Sequence, residues 1–234
     1  MPISEQTKRI VLLVWSRMLK LDDGALDEPG RRIEAVDNAI QAVTCVQLFG
    51  RNVLYGPDPV VAAARRINDR DLPAALLHLA REQSDRARLL GSANLLYAEH
   101  PPVVAPSEEV AVSFAPEHLE AVAAASPPDD VETSGVRDAE WAATLVAHAE
   151  SDAPVAAATW QVWHHMLAHL GVLTRPEYRG RGMGRYIAAV AAQEAFDEGL
   201  IPQWRAAAGA PGSQKIAESL GFTMAGSQTT ALLQ

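Results

Sequence analysis

One stretch constrains this chain more than any other: Leu170-Gly-Val-Leu-Thr-Arg-Pro-Glu-Tyr-Arg-Gly-Arg-Gly-Met-Gly-Arg-Tyr186. An apolar run, expected as a strand over Leu167 to Thr174, enters Pro176. A loop containing Gly180, Gly182 and Gly184 follows, and a long helix opens near Met183, strongest from Tyr186 to Glu198 and ended by Gly199. Glycine lets a backbone adopt positive φ and approach a ligand closely, and the first N–H groups of a helix have no intrahelical acceptor. A strand, a glycine-rich turn and a helix N-terminus in that order make a site for an anion, with phosphate the natural occupant. Arg175, Arg179, Arg181 and Arg185 surround the turn in a chain whose formal net charge is −9, so positive charge is concentrated where the loop is expected to need it.

Two common phosphate loops fail on spacing. A nucleotide-hydrolysing P-loop needs four residues between its first glycine and Gly-Lys-Ser/Thr, and this segment has no lysine. A dinucleotide fingerprint needs Gly-x-Gly-x-x-Gly, but counting from Gly180 puts Arg185 at the last glycine, and counting from Gly182 puts Ile187 there. The pattern that fits is Arg/Gln-x-x-Gly-x-Gly/Ala, filled by Arg179, Gly182 and Gly184. The segment resembles the GNAT acetyltransferases in this signature, in the preceding Val-Leu-Thr and in Pro-Glu-Tyr-Arg-Gly. The resemblance continues through a short strand at Ile201 to Ala206 and a helix at Ser213 to Leu220 with a Leu-Gly-Phe exit at Phe222. It is clear from about Val155 onward, weak from Asp138 to Pro154, and absent over residues 1–105.

The resemblance implies an α/β (α+β) fold with a mixed, mostly antiparallel central sheet flanked by helices, splayed open between two neighbouring strands to take acetyl-CoA. By that likeness Val172, Leu173 and Thr174 hydrogen-bond the pantetheine arm through their backbone. Arg179, Gly180, Arg181, Gly182, Met183, Gly184 and Arg185 hold the pyrophosphate, with backbone amides mattering more than any single side chain. Ser213 matches a small polar position at the start of the last helix. The implied reaction is direct transfer of an acetyl group to an amine, on a small molecule or a protein, without a covalent enzyme intermediate.

The chain departs from the family pattern where a general acid is expected. Many members carry a tyrosine four or five residues before the final phenylalanine, and here those positions are Glu218 and Ala217; the asparagine often found seven residues before that tyrosine is replaced by Ala210. A glutamate base early in the strand before the loop would align near Ala168 or His169, of which only His169 can take a proton. Glu140, expected at the first turn of a helix bordering the acceptor cleft, is a second catalytic candidate, although an acid there is also ordinary helix-dipole chemistry. Trp160, Trp163 and Trp204 suit either a cleft wall or the core. His164 and His165 are adjacent, so in extended chain they point to opposite faces. No Cys/His pair has zinc-ligand spacing, and no metal is expected.

With 234 residues, 48% of them hydrophobic, the chain can bury a substantial core. Abundant alanine and 6% aromatics suggest helices packed closely through small side chains. The acidic balance argues against nucleic acid and anionic membranes as partners. A lone Cys45, no basic region ahead of an apolar stretch at the N-terminus and no run long enough to span a bilayer fit a reducing cytoplasm. Oligomeric state is left open, a homodimer being one option.

Along the rest of the chain the spacing predicts a helix over Ser4 to Leu19, a second over Arg31 to Ala42, and a hairpin of Val43 to Phe49 with Asn52 to Tyr55 about Gly50-Arg51. Helices follow over Val60 to Ile67 and Leu72 to Arg81. Proline clusters at His100 to Pro106 and Ser126 to Asp130 are candidate boundaries. Leu119 to Ala125 and Asp138 to Glu150 read as helices, Val155 to Val162 as a strand, and Phe222 to Leu232 as a β segment broken at Gly226. The division expected is an N-terminal α/β subdomain, 1–105, and an acyl-CoA-binding domain, 106–234. The helix, hairpin and helix order of the first makes it a candidate degenerate copy of the second. Beside the enzyme stand two other readings: a degenerate member that binds acyl-CoA as a sensor or scaffold, and a purely structural domain.

Overall fold

The computed structural model describes residues 2–103, 105, 107–148 and 152–234. By their contacts these fall into two units, one of residues 1–3, 97–204 and 215–223, the other of residues 4–96, 205–214 and 224–234. The second unit therefore draws two segments from the C-terminal third of the chain.

The second unit opens with α1 (Glu5–Met18), whose N-cap Ser4 accepts the Thr7 N–H, as capping chemistry favours. Strands β1 (Ile33–Val36), β2 (Ala42–Leu48) and β3 (Arg51–Gly56) follow, then α2 (Asp58–Ala64), α3 (Leu72–Arg81), β4 (Arg88–Tyr97) and, near the C-terminus, β10 (Thr223–Leu232). Their order across the sheet is β1-β3-β2-β10-β4. Val43, Cys45 and Leu54 of the sheet pack with Val60, Val61 and Ala64 of α2 and Leu72, Leu76 and Leu79 of α3. The predicted hairpin is present with the register Leu48↔Arg51.

The helix expected over Arg31 to Ala42 is instead β1 and a turn. Asp37 accepts the Ala39 N–H and Asn38 accepts the Asp58 N–H, so these side chains satisfy backbone donors in a way that competes with a helix. The Arg32 guanidinium meanwhile donates to Ala64 O at the last residue of α2, to Ile67 O beyond it and to Asp69. Strand β10 runs unbroken through Gly226. A Cβ at that glycine would lie 1.8 Å from Gln47 O, so the residue marks close strand approach, not a break.

In the first unit, β5 (Val110–Ser113), α4 (Pro116–Ala124), α5 (Pro128–Ser134), β6 (Trp141–Ala147), β7 (Ala153–Trp163), β8 (Leu167–Thr174), α6 (Met183–Asp197), β9 (Ile201–Ala207) and α7 (Pro211–Ser219) follow in order, the last two extending into the second unit. The strands lie β9-β8-β7-β6-β5. Every pairing is antiparallel except β8 with β9. Successive strand residues face opposite sides of a sheet. Ala157 and Leu173 pack with Val122 of α4 and Val131 of α5, whereas Val172 and Thr174 face Gly184 of α6. The sheet is thus covered by α4 and α5 on one face and α6 on the other.

The helix expected over Asp138 to Glu150 is strand β6, with Ala149 and Glu150 outside the described residues. Its alanines favour helix in isolation, but β6 is an interior strand paired on both sides, and Trp141 stacks on its cross-strand partner Trp160, ring centroids 5.7 Å apart and planes 2° from parallel. Cross-strand aromatic pairing and burial override propensity here. Alanine serves the sheet for another reason: Ala156, Ala157 and Ala158 of β7 and Ala188, Ala191, Ala192 and Ala195 of α6 are fully buried, and short side chains let the helix lie close on the strands.

Candidate functional site

Two hydrogen bonds at the ends of β8 fix which of its backbone groups face which neighbour. Arg175 N–H donates to Val155 O on the β7 side, and Ile201 N–H donates to Met166 O on the β9 side. Because backbone groups alternate sides along a strand, those of Gly171 and Leu173 point to β7, and those of Leu170, Val172 and Thr174 point the other way. Pairing with β9 stops at Leu170↔Trp204 while β8 continues to Thr174. Among the described residues no strand pairs with that edge over 171–174. Of the three residues expected to present backbone groups to a pantetheine arm, Val172 and Thr174 face the open edge, and Leu173 faces β7 with its side chain in the core.

The chain leaves β8 through a 3-10 turn over Pro176–Tyr178 and crosses Gly180 (φ 75°) and Gly182 (φ 82°) into α6. Positive φ at both positions requires glycine or strains any other residue. A Cβ at either would meet nothing within 4 Å, so the loop is open above both. The first helical bond of α6 is Tyr186 N–H to Gly182 O. The amides of Met183, Gly184 and Arg185 precede it and have no intrahelical acceptor. Gly184 is needed for a different reason: a Cβ there would lie 2.7 Å from Thr174 Oγ1 and 3.7 Å from Val172 Cγ1. Its missing side chain seats the helix start against the open end of β8.

The arginines are held by the protein. Arg175 donates to Glu177 and to Pro154 O. Arg179 donates from Nε to Thr174 O at 3.1 Å and from a terminal nitrogen to Asp130 Oδ2 at 2.6 Å, and Arg185 donates to the Ser219 hydroxyl. The guanidinium groups of Arg175 and Arg181 lie 5.4 and 5.3 Å from the centre of the buried Tyr178 ring, a cation–π arrangement that fixes the turn. A hydrogen bond from its own backbone N–H, helped by Arg175, holds the Glu177 carboxyl below the usual carboxylate range. Sequence reading missed Tyr178 and Asp130; the first was visible as an aromatic between arginines, the second lies 49 residues away and had no local signal.

His169, the candidate base, lies in β8 against the Trp163 ring, centroids 4.5 Å apart. Gln203 Nε2 approaches its Nδ1 at 3.4 Å, and Gln203 Oε1 accepts from the buried Tyr97 hydroxyl at 2.6 Å. Glu140 is not in a helix. It precedes β6, and its carboxylate accepts the Val162 N–H at 2.9 Å, which ties down the end of β7. Ala217 is buried and Glu218 exposed on α7. Ser213 falls in the first turn of α7, in the other contact unit from the loop. Trp160 stacks on Trp141, and Trp204 meets the edge of Phe222. His164 and His165 are not extended: both have positive φ, 50° and 60°, in the turn that the Met166 N–H closes onto Trp163 O. Among the described residues no group of His, Cys, Asp or Glu is arranged to hold a metal, and no helix is long and apolar enough to cross a membrane.

A parallel strand pair that parts beyond Leu170, with an amide-lined glycine turn at its open end, is the arrangement the loop signature implied, and the GNAT acetyltransferase family model matches residues 145–230. Over residues 145–230 the chain is GNAT-like. Solved structures similar to it include a GCN5-related N-acetyltransferase-like protein of Streptococcus suis, 18% identical with TM-score 0.51, the match covering 81% of this chain and 83% of that one. A Drosophila protein is 15% identical with TM-score 0.53, covering 69% and 57%. A GNAT-family protein of Novosphingobium aromaticivorans is 23% identical with TM-score 0.48, covering 62% and 66%. No curated protein matches the chain by sequence. At 18% identity and a TM-score of 0.51 the Streptococcus suis neighbour speaks for the fold alone, a mixed and mostly antiparallel sheet flanked by helices, and the GNAT family model speaks for acyl transfer as the class of chemistry.

Proposed function

We propose that the protein is an acetyl-CoA-dependent N-acyltransferase that moves an acetyl group directly to an amine of a small molecule or a protein. The observation that carries this reading is the adjacency of the open edge of β8 to the first-turn amides of α6. Val172 and Thr174 can pair with the two amides of a pantetheine arm as an added strand would, and the amides of Met183, Gly184 and Arg185 with the loop at Gly180 to Gly182 can receive the pyrophosphate. Arg181 and Arg185 add positive charge, and Arg179 stands at the junction of arm and pyrophosphate. An acidic chain without a metal cluster among its described residues suits a small amine or protein acceptor better than nucleic acid, and the buried lone thiol suits the cytoplasm. In our reading residues 106–234 carry this activity, and residues 1–105 have a still unassigned role.

The chemistry asked of the protein is modest. The amine nitrogen attacks the thioester carbonyl, a C–N bond forms, the C–S bond breaks, the amine loses a proton and the thiolate gains one. Positioning supplies most of the rate in such a transfer. His169 is the candidate to take the amine proton. Glu140, tied to Val162, is the weaker one. The second reading, an acyl-CoA-binding sensor, is favoured by one observation: α7 offers Ala217 and Glu218 where a thiolate acid is expected. Steady release of free thiol from acetyl-CoA with a panel of amines supports the enzyme. Tight coenzyme A binding without thiol release supports the sensor, and absence of any thermal shift with acetyl-CoA removes both.

A further inference from the structure

Arg179 is the signature arginine of the loop, yet its charge is already matched within the protein. Its guanidinium is turned back to the end of β8, where Nε caps Thr174 O, and its terminal nitrogen reaches across to Asp130 Oδ2. Asp130 stands in the first turn of α5 between Asp129 and Glu132. An acidic helix thus borders an anion loop on the side where the arm and the pyrophosphate would meet. The pair is half exposed, the side chains at 49% and 41%, so neither partner is locked by burial, and a stronger anion can displace the carboxylate. Thr174 O is also one of the backbone acceptors on the open edge. Arg179 therefore covers, by one side chain, both a strand-edge acceptor and the approach to the loop.

We propose that Asp130 is an internal competitor of the pyrophosphate: it occupies Arg179 in the free protein, sets the affinity for the acyl donor below what the loop alone would give, and hands Arg179 over when the donor binds. This rests on the reading of the loop as a coenzyme A site. The exchange frees α5 from the loop on binding. α5 also supplies Pro128, Val131 and Glu132 to an open cavity of about 390 Å³ that Gly135 and Arg137 line with them. Removing the carboxylate while keeping its size leaves Arg179 anchored to Thr174 O alone, ready for a phosphate.

The test is calorimetric titration of coenzyme A into the full chain and its variants. Asp130→Asn is expected to bind about three-fold or more tightly than the wild type, as loss of one nearby like charge implies. Asp129→Asn carries the same change of charge on an exposed neighbour that does not touch Arg179, and is expected to give less than half that gain. In an Arg179→Ala background the effect of Asp130→Asn disappears if it acts through Arg179. Weaker or unchanged binding by Asp130→Asn, an equal gain with Asp129→Asn, or a gain that survives in Arg179→Ala would overturn the inference while leaving the coenzyme A site intact. A wild type that binds no coenzyme A would remove the site and the competitor together.

Discussion

Gly184 and Thr174 share one contact: a Cβ on the glycine would lie 2.7 Å from the threonine hydroxyl oxygen, closer than side-chain carbons approach oxygen without displacement. The helix that offers its amides to an anion is therefore seated on the strand that offers its edge. Gly184→Ala is expected to destabilise the protein by about 1–3 kcal/mol, the usual range for overpacking, and to tilt the start of α6. In a Thr174→Ala background the same substitution should cost clearly less. Urea unfolding of the four proteins measures both, and equal costs in the two backgrounds would show that the contact does not set the helix position.

Gly226 makes a harder contact, because what a Cβ would meet there is backbone, Gln47 O at 1.8 Å and Leu48 Cα at 2.9 Å. Gly226→Ala should therefore push β10 from β2 and cost about 2–4 kcal/mol. Gly209→Ala, where nothing lies within 4 Å, should stay within about 0.5 kcal/mol of wild type. Thermal unfolding of the pair checks this, and comparable stabilities would contradict the strand register.

How much of this was legible in the sequence follows from which signals are local. The loop from Pro176 to Met183 could be read because turn, glycine positions and helix start lie within a dozen residues, and because positive φ at Gly180 and Gly182 is a property of those residues alone. The hairpin around Gly50 and helix α3 were legible for the same reason. Strand β6 was not: Trp141-Ala-Ala-Thr-Leu-Val-Ala has helical spacing, and what makes it a strand is Trp160 on β7 and pairing on both edges. Strands β1, β4 and β5 have weak patterns of their own and gain their state from partners distant in sequence. In the site, the alternation that turns Leu173 away from the open edge needed the register of β7, and the Asp130 partner of Arg179 needed the fold.

Cys45 is buried in the core of the second unit, and burial pushes its thiol up to about 11. The thiolate is the reactive form, so a disulfide reagent at mildly alkaline pH should label the native protein very slowly and the guanidinium-unfolded protein at once. Rapid labelling of the native protein would contradict the packing of β2 against α2 and α3.

Asp37 accepts hydrogen bonds from Lys20, from the Ala39 N–H and from the Tyr55 hydroxyl, which together hold its carboxyl at about 2 against an ordinary value of 3.8. A carboxyl depressed in the folded state stabilises it above the unfolded value and loses that contribution as pH falls through the folded one. Between about pH 4 and pH 2 the melting temperature of wild type should thus fall more steeply than that of Asp37→Asn. Parallel curves would mean that the Lys20–Asp37–Tyr55 cluster does not form.

The most direct measurement is the affinity for coenzyme A of the wild type and of Gly182→Glu, by calorimetry on proteins of matched circular dichroism. Gly182 caps α6 with nothing within 4 Å of where a side chain would begin, so a glutamate there places a negative charge where the pyrophosphate is expected, at the cost of a strained positive φ. The wild type is predicted to bind with a clear exothermic isotherm, and Gly182→Glu to show no measurable binding. Equal affinity in a folded Gly182→Glu protein would mean that coenzyme A does not sit on the first turn of α6.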